Sequence, residues 1–325
     1  MVAELADLSR ARAGARSPGA GPLRVGAAYF HLWPNDAGLL LASDAGLFAR
    51  AGLDVELGVP DPLRGDALSH LVGGSIDFAL CPPNRLLVRA ERGEDVIGVA
   101  AINHRGLETI QTVAGLGIER PRDLEGRRIA LNPTPRGLAM ISTVVAADGG
   151  DPEAVQIVDS GVRELGVDDI AAGETDATFG GYWAWDALLG ELPEEERVLW
   201  RADELHGVPR YHSYVLATRR SLAERCPEAV RSFLAACGQG YLAAGRDPDR
   251  ALALFERVTP FFPRTVLRRS LRLVSTTWSH DGRWGQQRSE LFASYADWLA
   301  EHGILEAPDD WTSAITNEFL EAGPR

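Results

Sequence analysis

The alternation of strands and helices limits the possible folds of this chain more than any other feature of its sequence. From Leu23 onward, short apolar runs typical of strands alternate with amphipathic stretches typical of helices. Strands separated by helical segments of about 10–15 residues predict crossover connections, and therefore a parallel sheet with helices on both faces. In the first series the pattern predicts strands at 23–28, 53–57, 76–81 and 96–102, and helices at 37–51, 63–73 and 85–93.

A second series of the same kind begins after residues 104–106. It predicts strands at 109–114, 128–131, 154–158 and 176–179, a turn at 120–126, and helices at 136–148 and 162–172. The extended stretch 211–218 is expected to return to the first series. Beyond it the pattern is entirely helical, with predicted helices at 221–244, 248–258, 263–275 and 285–302.

The order of these elements predicts an α/β fold with two lobes, two parallel-rich sheets, a hinge and a helical C-terminal tail. A length of 325 residues agrees with this, because single cores stop growing at about 250–300 residues. We expect a flexible leader at 1–21, one lobe made of 22–105 and 211–325, and a second lobe at 106–210. In such a fold the two connections act as a hinge, and a ligand binds at the carboxyl ends of the strands.

Charge and composition exclude several classes of partner and chemistry. The 33 basic residues against 46 acidic residues give a net charge of −13, which disfavours binding to nucleic acid or anionic lipid. No apolar run approaches the roughly 18–20 residues of a membrane span. The sequence contains no lysine, so no side chain can form a Schiff base with pyridoxal phosphate or a carbonyl substrate. We therefore expect a protein that acts on small molecules or on other proteins, with no nucleic-acid partner and no membrane span.

Neither the cysteines nor the histidines show the spacing of a metal or cofactor site. Cys81, Cys226 and Cys237 are odd in number and lack CxxC spacing, which argues against a disulfide framework or a structural zinc. The seven histidines include no HExxH motif, and the chain has neither a GxSxG elbow nor a dinucleotide-binding fingerprint. The sequence therefore predicts no metal and no cofactor.

The first 21 residues bear on the compartment. Glu4 and Asp7 interrupt any apolar stretch there, so the apolar core of about 7–15 residues that a secretory signal needs is missing. As written, the chain is expected in the cytoplasm. A start codon placed further upstream would add a signal and give an extracytoplasmic location instead.

A cluster of aromatic and acidic residues is the first candidate for a binding site. Tyr182, Trp183 and Trp185 lie between a predicted strand and a helix, where they could stack on a flat ligand or pack in the core. Asp186 follows them, and Asp36 stands at the start of the first helix. A carboxylate can engage the ring nitrogen and amine of an aminopyrimidine through two parallel hydrogen bonds. The alternatives are a helix N-cap for Asp36 and a solvated helix residue for Asp186.

Other candidates stand at strand ends and at the predicted hinge. Thr134 and Arg136, at the start of a helix, could receive an anionic or carbonyl group, or Thr134 could simply cap that helix. Cys81 and Asn84 occupy the matching strand end in the first lobe; the alternative for Cys81 is a packed thiol. The hinge positions are His104 and His212, each of which could line the cleft or have a structural role.

Four segments of the chain resemble one known family. The first is FHLWPNDAG at 30–38, together with the LLLASDAGLFARAGLDVEL that follows it. The second and third are DLEGRRIAL at 123–131 and GYWAWD at 181–186. The fourth is the tail at 281–320, which contains Trp-Gly, Ala-Asp-Trp and Thr-Asn-Glu-Phe-Leu motifs. The chain resembles the pyrimidine-binding branch of the bilobal solute-binding proteins, which includes formylaminopyrimidine-binding proteins of thiamine-precursor ABC transporters and thiamine pyrimidine synthases. The resemblance implies a type II periplasmic-binding-protein-like fold and an ABC permease as partner. It also places Trp33, Asn35 and Asp36 at the ligand.

The chain departs from that family at positions that matter for chemistry. Where the family has a histidine two residues before the glycine aligned with Gly38, this chain has Asp36, although His31 lies a few residues upstream. The synthases depend on that histidine, a lysine beside pyridoxal phosphate and a cysteine-rich segment, so their chemistry is excluded here. The related sulfinate desulfinases use a cysteine in the opening loop, where the nearest residue here is Trp33.

Three functional readings follow from the sequence. The first is a monomeric solute-binding protein that closes its hinge over a small aromatic heterocycle, a thiamine-related pyrimidine, for ABC-type uptake. The alternative is a cytoplasmic enzyme on the same fold, with Cys81 as nucleophile; its acid–base candidates are His31, Asp36, His104 and Asp186. A cytosolic ligand sensor without catalysis is a third reading.

Overall fold

The computed structural model describes residues 21–161, 165–181 and 192–320. Within these ranges the strands form two mixed sheets of five strands each. The strands of the first sheet are β1 (Leu23–Gly26), β2 (Val55–Gly58), β3 (Phe78–Cys81), β4 (Ile97–Ala101) and β10 (Val215–Thr218). Those of the second are β5 (Glu108–Val113), β6 (Arg128–Leu131), β7 (Gln156–Asp159), β8 (Ala177–Gly181) and β9 (Arg197–Arg201).

The first sheet has the order β2-β1-β3-β10-β4. Strand β1 runs parallel to β2 and β3, whereas β10 inserts antiparallel between β3 and β4. All four residues of β10 are buried, because the strand lies inside the sheet and both of its faces are covered. The extended stretch at 211–218 therefore returns to the first sheet, as the sequence predicted.

The second sheet also has five strands, in the order β7-β6-β8-β5-β9. Strand β6 is parallel to β7 and β8, and β5 is antiparallel to β8 and β9. The α/β fold with two parallel-rich sheets is thus confirmed. The antiparallel strands are β5, β9 and β10, and each of them is reached by a connection between the two sheets or by a return along one sheet.

The helices surround the sheets and make up most of the C-terminal part. Those before β10 are α1 (Ala37–Asp44), α2 (Leu47–Arg50), α3 (Ala67–Val72), α4 (Pro83–Glu91), α5 (Pro135–Ala147) and α6 (Val167–Ala171). Those after it are α7 (Arg220–Arg225), α8 (Pro227–Arg246), α9 (Pro248–Val258), α10 (Arg264–Ser275), α11 (Ser289–Glu301) and α12 (Trp311–Ala314). Among the residues described, no helix combines the length and the apolar character needed to span a bilayer.

Three predicted helices differ from the structure at glycine or proline. The helix at 37–51 is divided at Gly46, whose φ of 65° is left-handed. The helix at 63–73 is shorter and begins only after Gly65, which has a φ of 111°. Pro227 starts a new helix inside the predicted helix 221–244, because proline cannot donate the hydrogen bond of a helix interior.

Other differences arise where local patterns are weak. The stretch 276–288 lies outside the helices, so the last long helix begins at Ser289 and not at 285. Strand β9 was not predicted, because its arginine-flanked sequence is only half-buried and lacks a clear alternation. Only the part of the predicted helix 162–172 from 165 onward is described, and α6 occupies 167–171 of it.

A close contact between two helices fixes the core of the first sheet. Helix α1 has buried residues from Ala37 to Ala42 and packs along α8. Glycines at the crossing allow the backbones to approach: a Cβ on Gly240 would lie 2.1 Å from the carbonyl oxygen of Gly38. A Cβ on Gly38 would in turn meet the ring of Tyr241 at 2.2 Å. The start of α1, and with it the loop before α1, is therefore held at a fixed distance from α8.

This contact gives a test of the packing. Gly240→Ala should lower the free energy of unfolding by about 2 kcal/mol or more, because the new methyl group meets backbone that cannot move without displacing α1. Gly245→Ala is the matched control on the same helix, since its Cβ would meet nothing closer than 4.0 Å. It should be neutral or stabilising by up to about 1 kcal/mol. Urea unfolding of both variants measures the difference, and equal stabilities would contradict the packing.

Candidate ligand-binding site

A cavity of about 390 Å³ opens where strand ends of the two sheets approach each other. It is lined by Ala27 and Ala28 after β1, Pro82 after β3, and Asn132 after β6. All of these residues follow the carboxyl end of a strand, which is where open α/β sheets bind ligands. The volume lies in the range usual for small-molecule sites. We call this space the ring cavity.

Two tyrosines form an aromatic wall of the ring cavity. Tyr29 follows β1 and Tyr214 precedes β10, and both line the space. The Tyr214 hydroxyl donates to the Tyr29 hydroxyl at 3.2 Å, which joins the two rings. Trp33 packs edge-on against both, with ring centroids 5.2 Å from Tyr29 and 5.4 Å from Tyr214. Trp33 is 1 % exposed and does not line the cavity itself, so it acts as a rigid support for the two tyrosine rings.

A carboxylate and a guanidinium form the polar side of the ring cavity. Asp66 is the N-cap of α3, and its Oδ1 accepts hydrogen bonds from the backbone N–H and hydroxyl of Ser69 and from Arg89. Its Oδ2 has one contact with a described residue, Arg85 Nη1 at 3.3 Å. Burial acts to raise the pKa of the Asp66 carboxyl, but the Ser69 hydrogen bonds and the two arginine charges outweigh it and hold that pKa below its ordinary value. Asp66 is therefore ionised at neutral pH.

These four residues, Tyr29, Asp66, Arg85 and Tyr214, were not among the sequence candidates. Tyr29 stands directly before the segment 30–38 on which the resemblance rests, and it follows β1 at a carboxyl strand end. The strand-end argument that singled out Cys81 and Asn84 would have found Tyr29 too. Asp66 and Tyr214 gave no comparable signal, because the first has the sequence context of a helix cap and the second precedes a strand.

Thr134, Arg136 and Asn84 border a neighbouring cavity instead of the ring cavity. Thr134 caps α5, since its hydroxyl accepts from the Gly137 N–H at 3.1 Å. The capping alternative for Thr134 is therefore what the structure shows. Asn84 lies in the first turn of α4, and its buried Oδ1 has no hydrogen-bond partner among the described residues.

Arg136 belongs to a buried network that joins three parts of the chain. Its Nη2 donates to Glu108 Oε1 at 2.6 Å, and its Nε donates to the Tyr295 hydroxyl at 2.5 Å. Its guanidinium also lies over the Tyr211 ring, 5.1 Å from the centroid, and the Tyr211 hydroxyl donates to Glu108. Burial acts to lower the Arg136 pKa, but the charge of Glu108 outweighs it and raises that pKa. The network ties α5 to β5, to the returning segment and to α11.

Asn35 and Asp36 lie in the core under the loop that precedes α1. Asn35 is fully buried, exchanges side-chain hydrogen bonds with Asn103 and accepts one from Trp278 Nε1. The Asp36 Oδ2 accepts from the Trp33 N–H at 2.9 Å, so it closes the turn before α1. The side chain does not cap α1, which corrects the N-cap alternative. Neither residue lines the ring cavity.

Burial changes the protonation of Asp36. The side chain is fully buried, and its Oδ1 has no hydrogen-bond partner in the described part of the chain. Burial raises the pKa of this carboxyl from its ordinary 3.8 to about 7, and the Trp33 N–H bond only partly opposes that change. Near neutral pH, Asp36 is thus partly protonated.

The two hinge histidines are buried side by side, with ring centroids 5.4 Å apart. His212 Nδ1 contacts the Asn103 carbonyl at 2.8 Å, and its Nε2 accepts from the Arg288 N–H at 3.0 Å, so both of its nitrogens have structural partners. Neither ring nitrogen of His104 has a hydrogen-bond partner among the described residues. Burial lowers the pKa of His104 to about 3 and that of His212 to about 4, so both are neutral at physiological pH.

Those residues proposed for catalysis that the structure describes do not assemble into a reactive group. Cys81 is 3 % exposed and outside the ring cavity, and burial raises the pKa of its thiol, which keeps it in the poorly nucleophilic form. His31 is buried against Phe262, with its Nδ1 2.9 Å from the Leu32 carbonyl. Tyr182, Trp183, Trp185 and Asp186 lie outside the described residues, so their placement stays a prediction.

The fold and the cleft define a class of protein. Two mixed α/β sheets, linked by the chain and bordering a cavity at their strand ends, form the same fold as solved solute-binding proteins. Residues 33–251 match the family model described as NMT1/THI5 like. Because that match covers more than half of the chain, the protein belongs to the NMT1/THI5-like family. The resemblance found in the sequence is thereby confirmed.

Individual relatives agree with this assignment. The chain is 29 % identical over 291 residues to a formylaminopyrimidine-binding protein of Halalkalibacterium halodurans, a match that covers 86 % of each. Among solved structures, the alkanesulfonate-binding protein of Xanthomonas axonopodis pv. citri, bound to MOPS, is similar with a TM-score of 0.67 and 19 % identity over 91 % of this chain and 98 % of that one. The aliphatic sulphonate-binding protein of Escherichia coli gives 0.70 and 16 % identity over 94 % of each chain.

The raised pKa of Asp36 predicts a pH dependence of stability. The folded state holds this proton more tightly than the unfolded chain, so the contribution of Asp36 to stability falls as pH rises from about 4 to about 7, by up to about 4 kcal/mol. Asp36→Asn removes this titration. The unfolding free energy of the variant minus that of the wild type should therefore increase across this window, as measured by urea unfolding from pH 4 to 8.

The control for Asp36 is Asp54→Asn, which changes an exposed aspartate of the same sheet region. It should shift stability by no more than about 0.5 kcal/mol throughout the range. A difference between Asp36→Asn and wild type that stays constant from pH 4 to 8 would contradict the assignment.

Proposed function

We propose that this protein binds a small aminopyrimidine related to the precursors of thiamine, and that it delivers this ligand to an ABC permease. The name of the formylaminopyrimidine-binding relative supports this ligand class. The chemistry of the ring cavity supports it independently. An import role implies the extracytoplasmic location, which is the second of the two that the sequence left open.

The observation that carries the proposal is the pairing of an aromatic wall with an ionised carboxylate in one cavity. Tyr29 and Tyr214 offer ring faces or edges to a flat heterocycle, and aromatic pairs contribute about 0.5–1.5 kcal/mol beyond the area they bury. Asp66 borders the same space. An aminopyrimidine has the matching shape: two apolar faces, and an edge with an amine that donates hydrogen bonds.

The Asp66 carboxylate has room for such a donor. Its Oδ1 already accepts three hydrogen bonds, whereas among the described residues Oδ2 has only the long contact with Arg85. Oδ2 therefore keeps a lone pair for another donor, and the ligand amine would bind there. The hydrogen bonds from Ser69 and Arg89 hold the carboxylate in place before the ligand arrives. This pre-organisation reduces the entropy that binding costs.

Hinge closure would complete the site. The chain passes between the sheets in the segments 102–107 and 202–214. Arg105 and Asp203 connect the two segments through a bidentate ion pair with distances of 2.7 and 3.1 Å, and Asp203 also accepts from the Gly106 N–H. This pair ties the two segments to each other at the place where we expect the hinge. Closure would bring the side of the cleft around Asn132 onto the ligand.

A calorimetric titration tests the ligand class. Formylaminopyrimidine and hydroxymethylpyrimidine should bind with dissociation constants in the micromolar range or below, whereas riboflavin and MOPS should give no heat at the same concentrations. Riboflavin lacks the ring amine that would donate to Asp66, and MOPS has no aromatic ring to stack on the tyrosines. A protein that binds MOPS and neither pyrimidine would contradict the proposal.

Variants test the carboxylate. Asp66→Asn should weaken pyrimidine binding about tenfold or more, because a charge-assisted hydrogen bond contributes about 1.5–3 kcal/mol. Asparagine still caps a helix, so α3 should stay intact. The matched control is Asp247→Asn, which changes the N-cap of α9 outside the ring cavity and should leave binding unchanged. Equal affinities for the two variants would remove Asp66 from the site.

A second pair of variants tests the aromatic wall. Tyr29→Leu removes the ring but keeps an apolar side chain of similar size, and it should weaken pyrimidine binding about threefold to tenfold. Tyr29→Phe keeps the ring and loses only the hydroxyl contact with Tyr214, so it should bind nearly as the wild type does. The dissociation constants come from the same titration. If Tyr29→Leu binds as tightly as Tyr29→Phe, stacking on Tyr29 has no part in recognition.

A further inference from the structure

A second cavity of about 450 Å³ adjoins the ring cavity. Asp66 and Arg85 line both spaces, so the two are neighbours across this pair. The second cavity lies between α4 and the start of α5, and it is closed on a third side by Gly303 and Ile304 after α11. We call it the arginine cavity, because four of the residues that line it are Arg85, Arg89, Arg92 and Arg136.

The arginines converge because of helix geometry. Arg85, Arg89 and Arg92 are spaced i, i+4 and i+7 along α4 and its C-cap, which places them on one face. Arg136 faces them from the start of α5. The acidic residues that line the same space are Asp66 and Glu94. Four cations against two anions make this space locally positive in a chain whose net charge is −13.

Hydrogen bonds divide these arginines into two pairs. In the first pair, Arg89 donates hydrogen bonds to Glu94, Asp66 and Ser69. Arg136 donates hydrogen bonds to Glu108 and to the Tyr295 hydroxyl.

Arg85 and Arg92 form the second pair. Within the described ranges, the Arg85 side chain has only the contact of 3.3 Å with Asp66, and the Arg92 side chain has no hydrogen bond or ion pair. Their guanidinium groups therefore keep most of their donors for another partner. A guanidinium with two parallel N–H groups free is suited to a tetrahedral or planar oxyanion.

We propose that the arginine cavity binds an oxyanion, with Arg85 and Arg92 as the donors. Arg89 and Arg136 add positive charge but keep their structural partners. One source of the oxyanion rests on the proposed function, namely a phosphate group carried by the pyrimidine itself. Because Arg85 borders both cavities, a pyrimidine in the ring cavity could place such a phosphate in the arginine cavity. A free phosphate ion beside a neutral pyrimidine is the other source of the same chemistry.

Three calorimetric titrations of the whole protein separate these sources. The probes are hydroxymethylpyrimidine, its phosphate monoester, and inorganic phosphate. The monoester should bind at least about tenfold more tightly than the neutral alcohol in 20 mM salt, and this ratio should shrink in 500 mM salt, because ions screen the attraction. If free phosphate is the natural occupant, inorganic phosphate should bind by itself and tighten binding of the alcohol. Either result supports an oxyanion site.

Variants assign the site to its residues. Arg92→Gln should reduce the preference for the monoester over the alcohol at least about threefold and leave the affinity for the alcohol unchanged. The matched control is Arg225→Gln, an exposed arginine at the end of α7 that lines neither cavity. Arg92 also stands at the C-cap of α4, where a cation stabilises the helix dipole. If that is its only role, Arg92→Gln will lower the melting temperature and leave the preference unchanged, which overturns the proposal.

The outcomes also separate this inference from the proposed function. Binding of the neutral pyrimidine with no preference for the monoester and no binding of inorganic phosphate would overturn the oxyanion site and leave the pyrimidine function intact. If the protein binds inorganic phosphate but neither pyrimidine compound, the pyrimidine function is overturned and the oxyanion site stands.

Discussion

The insertion of β10 into the middle of the first sheet is the constraint on which the rest of the structure depends. The chain leaves this sheet after β4, builds the whole second sheet, and must return to fill the place between β3 and β4. A buried strand with partners on both sides cannot be omitted, because its absence would leave two rows of backbone groups unpaired. The return therefore forces two crossings of the chain, and it brings Tyr214 beside Tyr29 at the end of β1.

Partly buried polar networks hold the crossings in position. The Arg105–Asp203 pair joins the two connecting segments, and Arg136 with Glu108 links α5 to the start of β5. Removing one partner would leave the other charge uncompensated where water is partly excluded, so these pairs keep the connected segments in a defined relation. The ring cavity needs that relation, since its lining comes from both sheets. The arginine cavity needs it as well, because it lies between α4 and α5.

The sequence predicted the elements well because strands and helices depend on local periodicity. It did not predict the antiparallel placement of β5, β9 and β10, which is decided by pairing partners far away in the chain. Among the predicted site residues, Arg136 is a clear example of the limit. A basic residue at a helix start suggested an anion, but Glu108, Tyr211 and Tyr295 come together around it only in the folded protein.

The site itself could be predicted only in part. The strand-end rule correctly indicated where a cavity would open, and Asn132, which follows β6, lines the ring cavity. Tyr29, Asp66 and Tyr214 are separated by up to 185 positions, and nothing in their local sequence shows that they share a cavity. For Asp36, a carboxylate within a family motif suggested a ligand contact, whereas the structure buries its side chain at the end of the turn before α1, outside the ring cavity.

A crystal structure with formylaminopyrimidine bound would test the central claim most directly. The account predicts a pyrimidine ring in contact with Tyr29 and Tyr214, with its amine within hydrogen-bonding distance of Asp66 Oδ2. A ring bound elsewhere, with the tyrosine wall and Asp66 left facing solvent, would contradict it.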